Sequence, residues 1–171
     1  SDLPLQADLE DKVYKTLFLD IGLMNALCGL DWRMVSQMDE GRLINEGAIA
    51  EQFIGQHLQH LLFDTPNREL TYWLRQGRAS NAEIDFVMGL NGAVIPIEVK
   101  AGATGRLKSL HQFMGTKDAP MAIRFDASPP SVTPVKTVIR AGNEKKDVQY
   151  RLISLPLYLV ERLPAITAAY L

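Results

Sequence analysis

The feature of this sequence that most constrains its fold is Asn91-Gly92, which lies between two runs of alternating polar and apolar residues. These runs span residues 83–90 and 93–101. Asn-Gly is the strongest short-range signal for a two-residue β-hairpin turn, because both turn positions require positive φ angles. The sequence therefore predicts an antiparallel hairpin in which the two residues flanking Asn91-Gly92 face each other.

The length of this turn also predicts the register of the two strands. Asp85 then faces Glu98, and Glu83 in the same way faces Lys100. Directly opposed side chains lie on one face of a sheet, so these four are expected to share a face. The opposite face receives only apolar side chains, namely those of Ile84, Phe86, Ile97 and Val99. This uniform pattern supports the register, because a slip of one residue would exchange the two faces.

Patterns on both sides of the hairpin predict an α/β fold. Apolar residues at helical spacing predict a helix over 44–63, and a second helix is predicted over 106–115. Strands are predicted at 70–76, before the hairpin, and at 121–125, after the second helix. Three strands joined by short turns pair antiparallel, whereas a strand that follows a helical crossover can return parallel. The prediction is an α/β sandwich with a mixed sheet flanked by helices.

The two ends of the chain complete this plan. The further predicted elements are an extended segment at 13–18, a helix over 21–28 with Asp20 as its N-cap and Gly29 as its stop, a loop at 128–134, strands at 137–140 and 149–155 around a polar turn at 142–147, and a last helix at 157–163 ended by Pro164. The predicted organisation is a lead-in or linker at 1–12, an N-terminal extension at 13–43, a core at 44–126, and C-terminal strands with a short helix at 127–171.

Composition excludes several classes of protein. The net charge of −2 excludes a wholesale basic coat for nucleic acid, although a local basic patch remains open. A single cysteine, Cys28, excludes a disulfide within the chain and a Cys-rich zinc site, and its apolar surroundings predict a core position. No uncharged apolar run reaches membrane-spanning length, so we expect a cytoplasmic protein. Because the first residue is Ser1, we expect a piece of a longer chain or a cloning remnant.

The predicted opposition of Asp85 and Glu98 indicates a cation site. Two like charges on opposed strand positions repel each other, and a divalent cation between them would remove that repulsion. Mg²⁺ and Mn²⁺ prefer carboxylate, carbonyl and water oxygens. Lys100 lies two residues beyond Glu98, where its ammonium could contact a phosphate or position a water molecule. These are the parts of metal-assisted phosphodiester hydrolysis. The alternative is a solvated strand face with an ordinary cross-strand pair.

A third carboxylate, Glu51, lies on the helix predicted over 44–63. Its neighbours one turn away are Gly47 and Gly55, and glycines within a helix are destabilising by roughly 1 kcal/mol each relative to alanine. Their presence predicts that this helix is pressed close to the sheet beside Glu51. Glu46 is the competing acid, but it heads the helix, where a carboxylate complements the helix dipole. Glu51 on a solvated face remains the alternative.

These residues together resemble the PD-(D/E)XK nuclease-like superfamily. More closely, the chain is similar to a domain of unknown function found C-terminal to the ATPase module of a bacterial and archaeal group of AAA-type ATPases. The matching segments are Val13-Tyr14-Lys15, residues 18–23, the helix at 47–58, Tyr72-Trp73, residues 82–87, residues 95–100, and residues 153–159.

The resemblance implies a restriction-endonuclease-like αβββαβ core with its carboxylates at one edge of the sheet. It implies Asp85 and Glu98 as ligands of Mg²⁺ or Mn²⁺, Glu51 as a further metal ligand, and Lys100 as the catalytic lysine. Two departures are notable. Ile84 replaces the proline of the motif, and the chain has no Gly-x-x-x-x-Gly-Lys-Ser/Thr run, so the ATPase module would lie elsewhere in a full-length protein. The resemblance to this family does not imply a particular activity.

A zone rich in basic residues lies next to the predicted site. From residue 99 to residue 116 there is no acidic residue. The predicted phosphate contacts are Arg75, Arg78, Arg106, Lys108 and His111, with a normal solvated surface as the equal alternative.

Two functions follow from this reading. One is metal-dependent phosphodiester hydrolysis of nucleic acid by the C-terminal domain of an ATPase. The other is a catalytically inactive interaction or regulatory domain that keeps the same fold. The expected partners are nucleic acid and an ATPase module of the same chain, no membrane is expected, and oligomerisation is open.

Overall fold

The hairpin predicted around Asn91-Gly92 is present in the computed structural model, which describes residues 5, 9–10, 12–37, 46–63, 70–75, 82–101, 107–117, 119–141 and 144–171. Strands β2 (Ala82–Leu90) and β3 (Ala93–Val99) flank the turn, in which Asn91 and Gly92 have φ angles of 49° and 81°. Their antiparallel pairing runs from Leu90 opposite Ala93 to Phe86 opposite Ile97. The predicted register is confirmed over this stretch.

The remaining strands build one open, mixed sheet. They are β1 (Thr71–Arg75), β4 (Met121–Asp126), β5 (Ser131–Ala141) and β6 (Glu144–Pro156). The six strands lie in the order β1-β2-β3-β4-β6-β5. Strand β2 is antiparallel to both β1 and β3, β4 is parallel to both β3 and β6, and β5 is antiparallel to β6. The predicted mixed sheet is therefore confirmed, including the parallel return after the helical crossover.

Helices cover both faces of this sheet. They are α1 (Ile21–Leu27), α2 (Trp32–Gln37), α3 (Glu46–Leu62), α4 (Lys108–Thr116), a 3₁₀ helix (Leu157–Arg162) and α5 (Leu163–Tyr170). Helix α3 packs Ile54 and Leu58 into one apolar cluster, and α4 packs Leu110 and Phe113 into a second. Burying one face of each helix against the sheet supplies the main driving force for this arrangement. In the described part of the chain, no helix combines the length and hydropathy that crossing a membrane requires.

The C-terminal third departs from the prediction. The predicted loop at 128–134 is already strand from Ser131, because β5 is an edge strand that tolerates Pro134. Residues 144–147 of the predicted turn belong to β6. Pro164 lies in the first turn of α5 and does not end a helix, since the amide hydrogen that proline lacks has no helical partner there.

In the N-terminal region the predicted helix is present, but the cysteine does not have its predicted core position. Helix α1 begins after Asp20, whose carboxylate accepts a hydrogen bond of 3.0 Å from the Leu23 amide, as the N-cap prediction requires. Gly29 follows the helix with a φ of 73°. Cys28, predicted in the core, is exposed, because α1 buries none of its residues. Helix α2 has no counterpart in the prediction.

Gly55 lies where α3 comes closest to its neighbours. A Cβ atom at Gly55 would lie 2.8 Å from Leu17 Cδ1 and 2.9 Å from Phe86 Cζ, so the close approach predicted there is confirmed. The same prediction is wrong for Gly47, where a Cβ atom would meet open space. Only the second glycine is therefore required by packing.

We expect Gly55→Val to lower the free energy of unfolding by about 1–3 kcal/mol, because the added methyls overlap Leu17 and Phe86. Gly47→Ala is the matched control. We expect it to be neutral or to raise the free energy of unfolding by up to about 1 kcal/mol, because it removes the entropic cost of a helical glycine without a clash. Urea denaturation of both variants measures the difference. Equal stability of Gly55→Val and wild type would contradict the close approach.

Candidate active site

The strands of the hairpin separate just beyond Phe86, and Asp85 lies at that point. Asp85 Oδ2 accepts a hydrogen bond of 2.7 Å from the Val99 amide, so a side chain takes the place of the backbone ladder. On the other side of β2, Thr71 pairs with Val87 and Trp73 pairs with Ile84, which places one extra residue in β2. Such a bulge re-aims the side chains next to it.

The bulge overturns one detail of the sequence prediction. Phe86, Ile97 and Val99 pack into the cluster below α3, as a common apolar face requires. Ile84, however, packs into the cluster below α4. The predicted shared face is therefore wrong for Ile84, because strict alternation does not continue through the extra residue.

Glu98 is the most enclosed acid of the site. It pairs in register with Arg124 of β4, and only 5% of its surface is exposed. One carboxylate oxygen, Oε1, forms an ion pair with the Lys100 ammonium. The other, Oε2, is buried and has no hydrogen-bond partner among the residues that the structure describes. Buried polar atoms without partners are rare in folded proteins, so Oε2 points to a ligand or water at this position.

Lys100 follows β3 directly. Its amide donates a hydrogen bond of 2.8 Å to the carbonyl of Phe125, so its backbone is held against β4. Its side chain is about 30% exposed, which leaves the ammonium in contact with both Glu98 and solvent. An ammonium in this position can meet an approaching anion.

The charges of Asp85 and Glu98 are incompletely balanced. Burial, and then the charge of Glu98, raise the pKa of Asp85 to about 7, although the Val99 amide acts in the opposite direction. Burial also raises the pKa of Glu98, against the lowering effect of Lys100. The Glu51 charge contributes to both upward shifts. Glu51 therefore belongs to the electrostatic surroundings of both Asp85 and Glu98, and a cation site shared by the three carboxylates stays a prediction.

Glu51 of α3 has a partner that the sequence analysis did not single out. The ammonium of Lys15 lies 2.6 Å from Glu51 Oε1 and 2.9 Å from Glu83 Oε1. It also donates to the Asp85 carbonyl at 3.5 Å. The positively charged side chain of Lys15 therefore lies against these acidic residues. The signals for Lys15 in the sequence were its place in the segment Val13-Tyr14-Lys15, which carries part of the family resemblance, and its position as the single lysine of the largely apolar stretch 13–19.

The predicted phosphate contacts have different surroundings. Arg75 is exposed and donates to Gln112 at 2.9 Å, and Lys108 is exposed on α4. His111 Nδ1 lies 3.0 Å from the Tyr150 hydroxyl, and burial lowers the pKa of His111, so the imidazole is neutral at pH 7. Arg78 and Arg106 lie outside the described residues, as does the side chain of Glu46. Phosphate binding by all five residues stays a prediction.

The donor set at the site fits a cation that needs few protein ligands. Across the described ranges, no three His, Cys, Asp or Glu side chains are arranged as a metal-binding group. Mg²⁺ is commonly held by one or two carboxylates together with water and substrate phosphates. The free Oε2 of Glu98 and the carboxylate of Asp85 meet that smaller requirement.

The fold and the site together define a mixed α/β domain with a partly buried acid–lysine cluster where two strands of its sheet separate. The chain belongs to the family described as Domain of unknown function (DUF4143), whose family model matches residues 46–159. This match spans α3, α4 and all six strands of the sheet, and it ends within the 3₁₀ helix. Searches of the curated proteins and of the solved structures gave no match.

Proposed function

We propose that this domain hydrolyses phosphodiester bonds of nucleic acid with the help of a divalent cation. The observation that carries the proposal is the buried Oε2 of Glu98, which has no partner within the described ranges and lies in a group of charges with Asp85 and Lys100. A buried acid is destabilising unless its charge is compensated, and Lys100 compensates Glu98 at only one of its two oxygens. An acid pair that lacks one positive charge, beside a lysine, is suited to bind a cation together with a phosphate.

The proposed roles follow from these positions. Asp85 and Glu98 hold Mg²⁺ or Mn²⁺, which when bound supplies an acidic water and neutralises charge on the phosphate. Lys100 extends from the same strand end and stabilises negative charge as it develops on the phosphate oxygens. Glu51 adds negative charge to the cluster from α3 and assists in cation binding.

The wider proposal is a restriction-endonuclease-like core. It is supported by the order of α3, β1, β2, β3, α4 and β4, which is the αβββαβ order that the resemblance implies. It is also supported by the parallel pairing of β4 with β3 after α4. In a full-length protein an AAA-type ATPase module would accompany this domain, and nucleic acid would approach across the surface that carries Arg75 and Lys108.

Glu98→Gln tests this function. Purified wild type, incubated with single- and double-stranded DNA and RNA in Mg²⁺ and in Mn²⁺, is expected to cleave at least one substrate. Glu98→Gln is expected to reduce the cleavage rate at least about 100-fold, because one cation ligand loses its charge. Glu144→Gln, an exposed acid on β6, is the matched control and should retain the wild-type rate.

The outcome that would contradict the proposal has two parts. One is that no tested nucleic acid is cleaved, and the other is that neither Mg²⁺ nor Mn²⁺ binds to wild type in calorimetry. Cleavage that persists in Glu98→Gln would also contradict it, because the activity would then lie elsewhere.

A second candidate function, a non-catalytic interaction domain, is favoured by an apolar surface. Leu23 and Leu27 lie about one turn apart on α1 and Leu19 precedes the helix; the exposed fractions of Leu19, Leu23 and Leu27 are 87%, 54% and 75%. Apolar side chains clustered on a surface are typical of protein interaction sites. Loss of partner binding in Leu23→Asp, with wild-type cleavage retained, would separate this role from catalysis.

A further inference from the structure

The segment that precedes α1 is attached to α3 by side-chain amides. Gln52, which is 4% exposed, accepts a hydrogen bond of 2.9 Å from the Phe18 amide and donates one of 2.8 Å to the Phe18 carbonyl. Gln56 accepts a further bond of 3.0 Å from the Ile21 amide. Leu17 packs against Gly55, where any side chain would overlap it. This segment, residues 15–21, is therefore held in one position on the helix that carries Glu51.

This attachment positions Lys15 at the acid cluster, by which we mean the carboxylates of Glu51, Asp85 and Glu98. Its ammonium is surrounded by oxygens of Glu51, Glu83 and the Asp85 carbonyl, at the distances given above. The rings of Tyr72 and Phe86 lie 5.4 Å and 5.5 Å away. Carboxylate and carbonyl oxygens are the ligands that a divalent cation also prefers, so the ammonium competes with one for the same oxygens.

We propose that Lys15 is an internal counter-ion of the acid cluster, so that the segment 15–21 sets the affinity of the active site for divalent cations. This inference rests on the proposed function, since it concerns the same cation site. With Lys15 in place, Glu51 is neutralised and a fixed positive charge lies near Asp85. Both effects weaken the attraction of the cluster for a second positive ion.

The charge of Lys15 is stable in this position. Burial by itself would lower the pKa of Lys15, but its hydrogen bonds to Glu51 and Glu83 outweigh burial and raise the pKa. The ammonium therefore remains charged over the whole pH range in which a nuclease is assayed. Its effect on the cluster is therefore set by the position in which Gln52 and Gln56 hold the segment.

Mn²⁺ binding without nucleic acid tests the inference. Calorimetry of Lys15→Met and Lys15→Gln is expected to show an affinity for Mn²⁺ about tenfold higher than wild type, because one repelling charge is gone. Lys15→Arg keeps the charge and should bind as wild type does. Lys12→Met is the matched control, because Lys12 is an exposed lysine just before the same segment.

Each outcome has a defined meaning. Equal or weaker Mn²⁺ affinity in both neutral variants, with wild type binding Mn²⁺, would overturn the role of Lys15 and leave the proposed function intact. Failure of wild type and of both neutral variants to bind Mn²⁺ would overturn the proposed function and the inference together. Thermal melts without cation verify that each variant is folded. If Lys15→Met does not fold, Lys15→Gln, which can still hydrogen-bond to Glu51, decides the result.

Discussion

Asp85→Asn is expected to abolish cation-dependent cleavage without lowering the melting temperature of the cation-free protein. The asparagine side-chain oxygen can still accept the hydrogen bond from the Val99 amide, so the local structure is retained. The substitution removes a buried charge that Glu98 repels, which leaves the folded state equally stable or more stable. The cation, however, loses one of its two proposed ligands. Activity and cation-free stability therefore move in opposite directions.

Thermal melts with and without Mg²⁺ measure this contrast. A ligand that binds only the folded state at 100 times its dissociation constant adds about 2.7 kcal/mol to the free energy of unfolding. For a chain of this size, that corresponds to a rise of roughly 5–10 °C in the wild-type melting temperature. We expect this rise to be absent in Asp85→Asn and present in Asp147→Asn, an exposed acid on β6 that serves as the control.

The structural alternative predicts the reverse behaviour. If Asp85 only supports the fold, Asp85→Asn should melt well below wild type, because a satisfied hydrogen bond is weakened. Millimolar Mg²⁺ should then leave the wild-type melt unchanged. Those two results together would exclude the nuclease proposal.

The stability of the cation-free protein is expected to fall as the pH rises from about 4 to about 7. The pKa of Asp85 is about 7 in the folded state, against an ordinary value of 3.8 in the unfolded chain. Between these values the folded state binds the additional proton, so raising the pH favours the unfolded state. The free energy of unfolding should decrease by up to about 1.4 kcal/mol per pH unit in this interval. Urea denaturation at half-unit pH steps measures the slope.

Two conditions should reduce this pH dependence. In Asp85→Asn one titrating carboxyl group is absent, so the slope between pH 4 and 7 should be smaller than in wild type, and the remainder comes in part from Glu98, whose pKa is also raised. At pH values where Mg²⁺ is bound, saturating Mg²⁺ should make the free energy of unfolding of wild type less dependent on pH, because the cation stabilises the ionised carboxylates. A wild-type slope of the opposite sign would show that Asp85 is charged in the folded protein without any cation.

Local signals in the sequence were sufficient for most of the secondary structure. Asn-Gly between alternating runs specified the β2–β3 hairpin and its register, because only one turn geometry suits those two residues. Asp20 specified the start of α1 through its own side-chain hydrogen bond. Both features depend on interactions between residues close together in the chain, which is the reason that they could be predicted.

The predictions that Pro134 lies in a loop and that Pro164 ends a helix were wrong, because the effect of a proline depends on contacts distant in the chain. Pro134 and Pro164 carry the same local signal, a fixed φ angle and no amide hydrogen. Whether that signal breaks an element depends on where the element lies. Pro134 lies on a strand at the edge of the sheet, and Pro164 lies in the first turn of a helix. These placements are decided by the assembly of the whole sheet.

The sequence by itself nominated the residues of the proposed site: Asp85, Glu98 and Lys100 through the predicted strand register, and Glu51 through its helix. The observed pairing of β2 with β3 ends at Phe86 and Ile97, so the direct opposition of Asp85 and Glu98 stays a prediction. Their roles in binding a cation remain predictions. Only the tertiary structure decided how the charges are balanced. The bulge beside Asp85 moved Ile84 to the other cluster, and Lys15 reached Glu51 across 36 positions of the chain. The physical reason is that burial and long-range ion pairs depend on distances in space, which spacing along the chain does not contain.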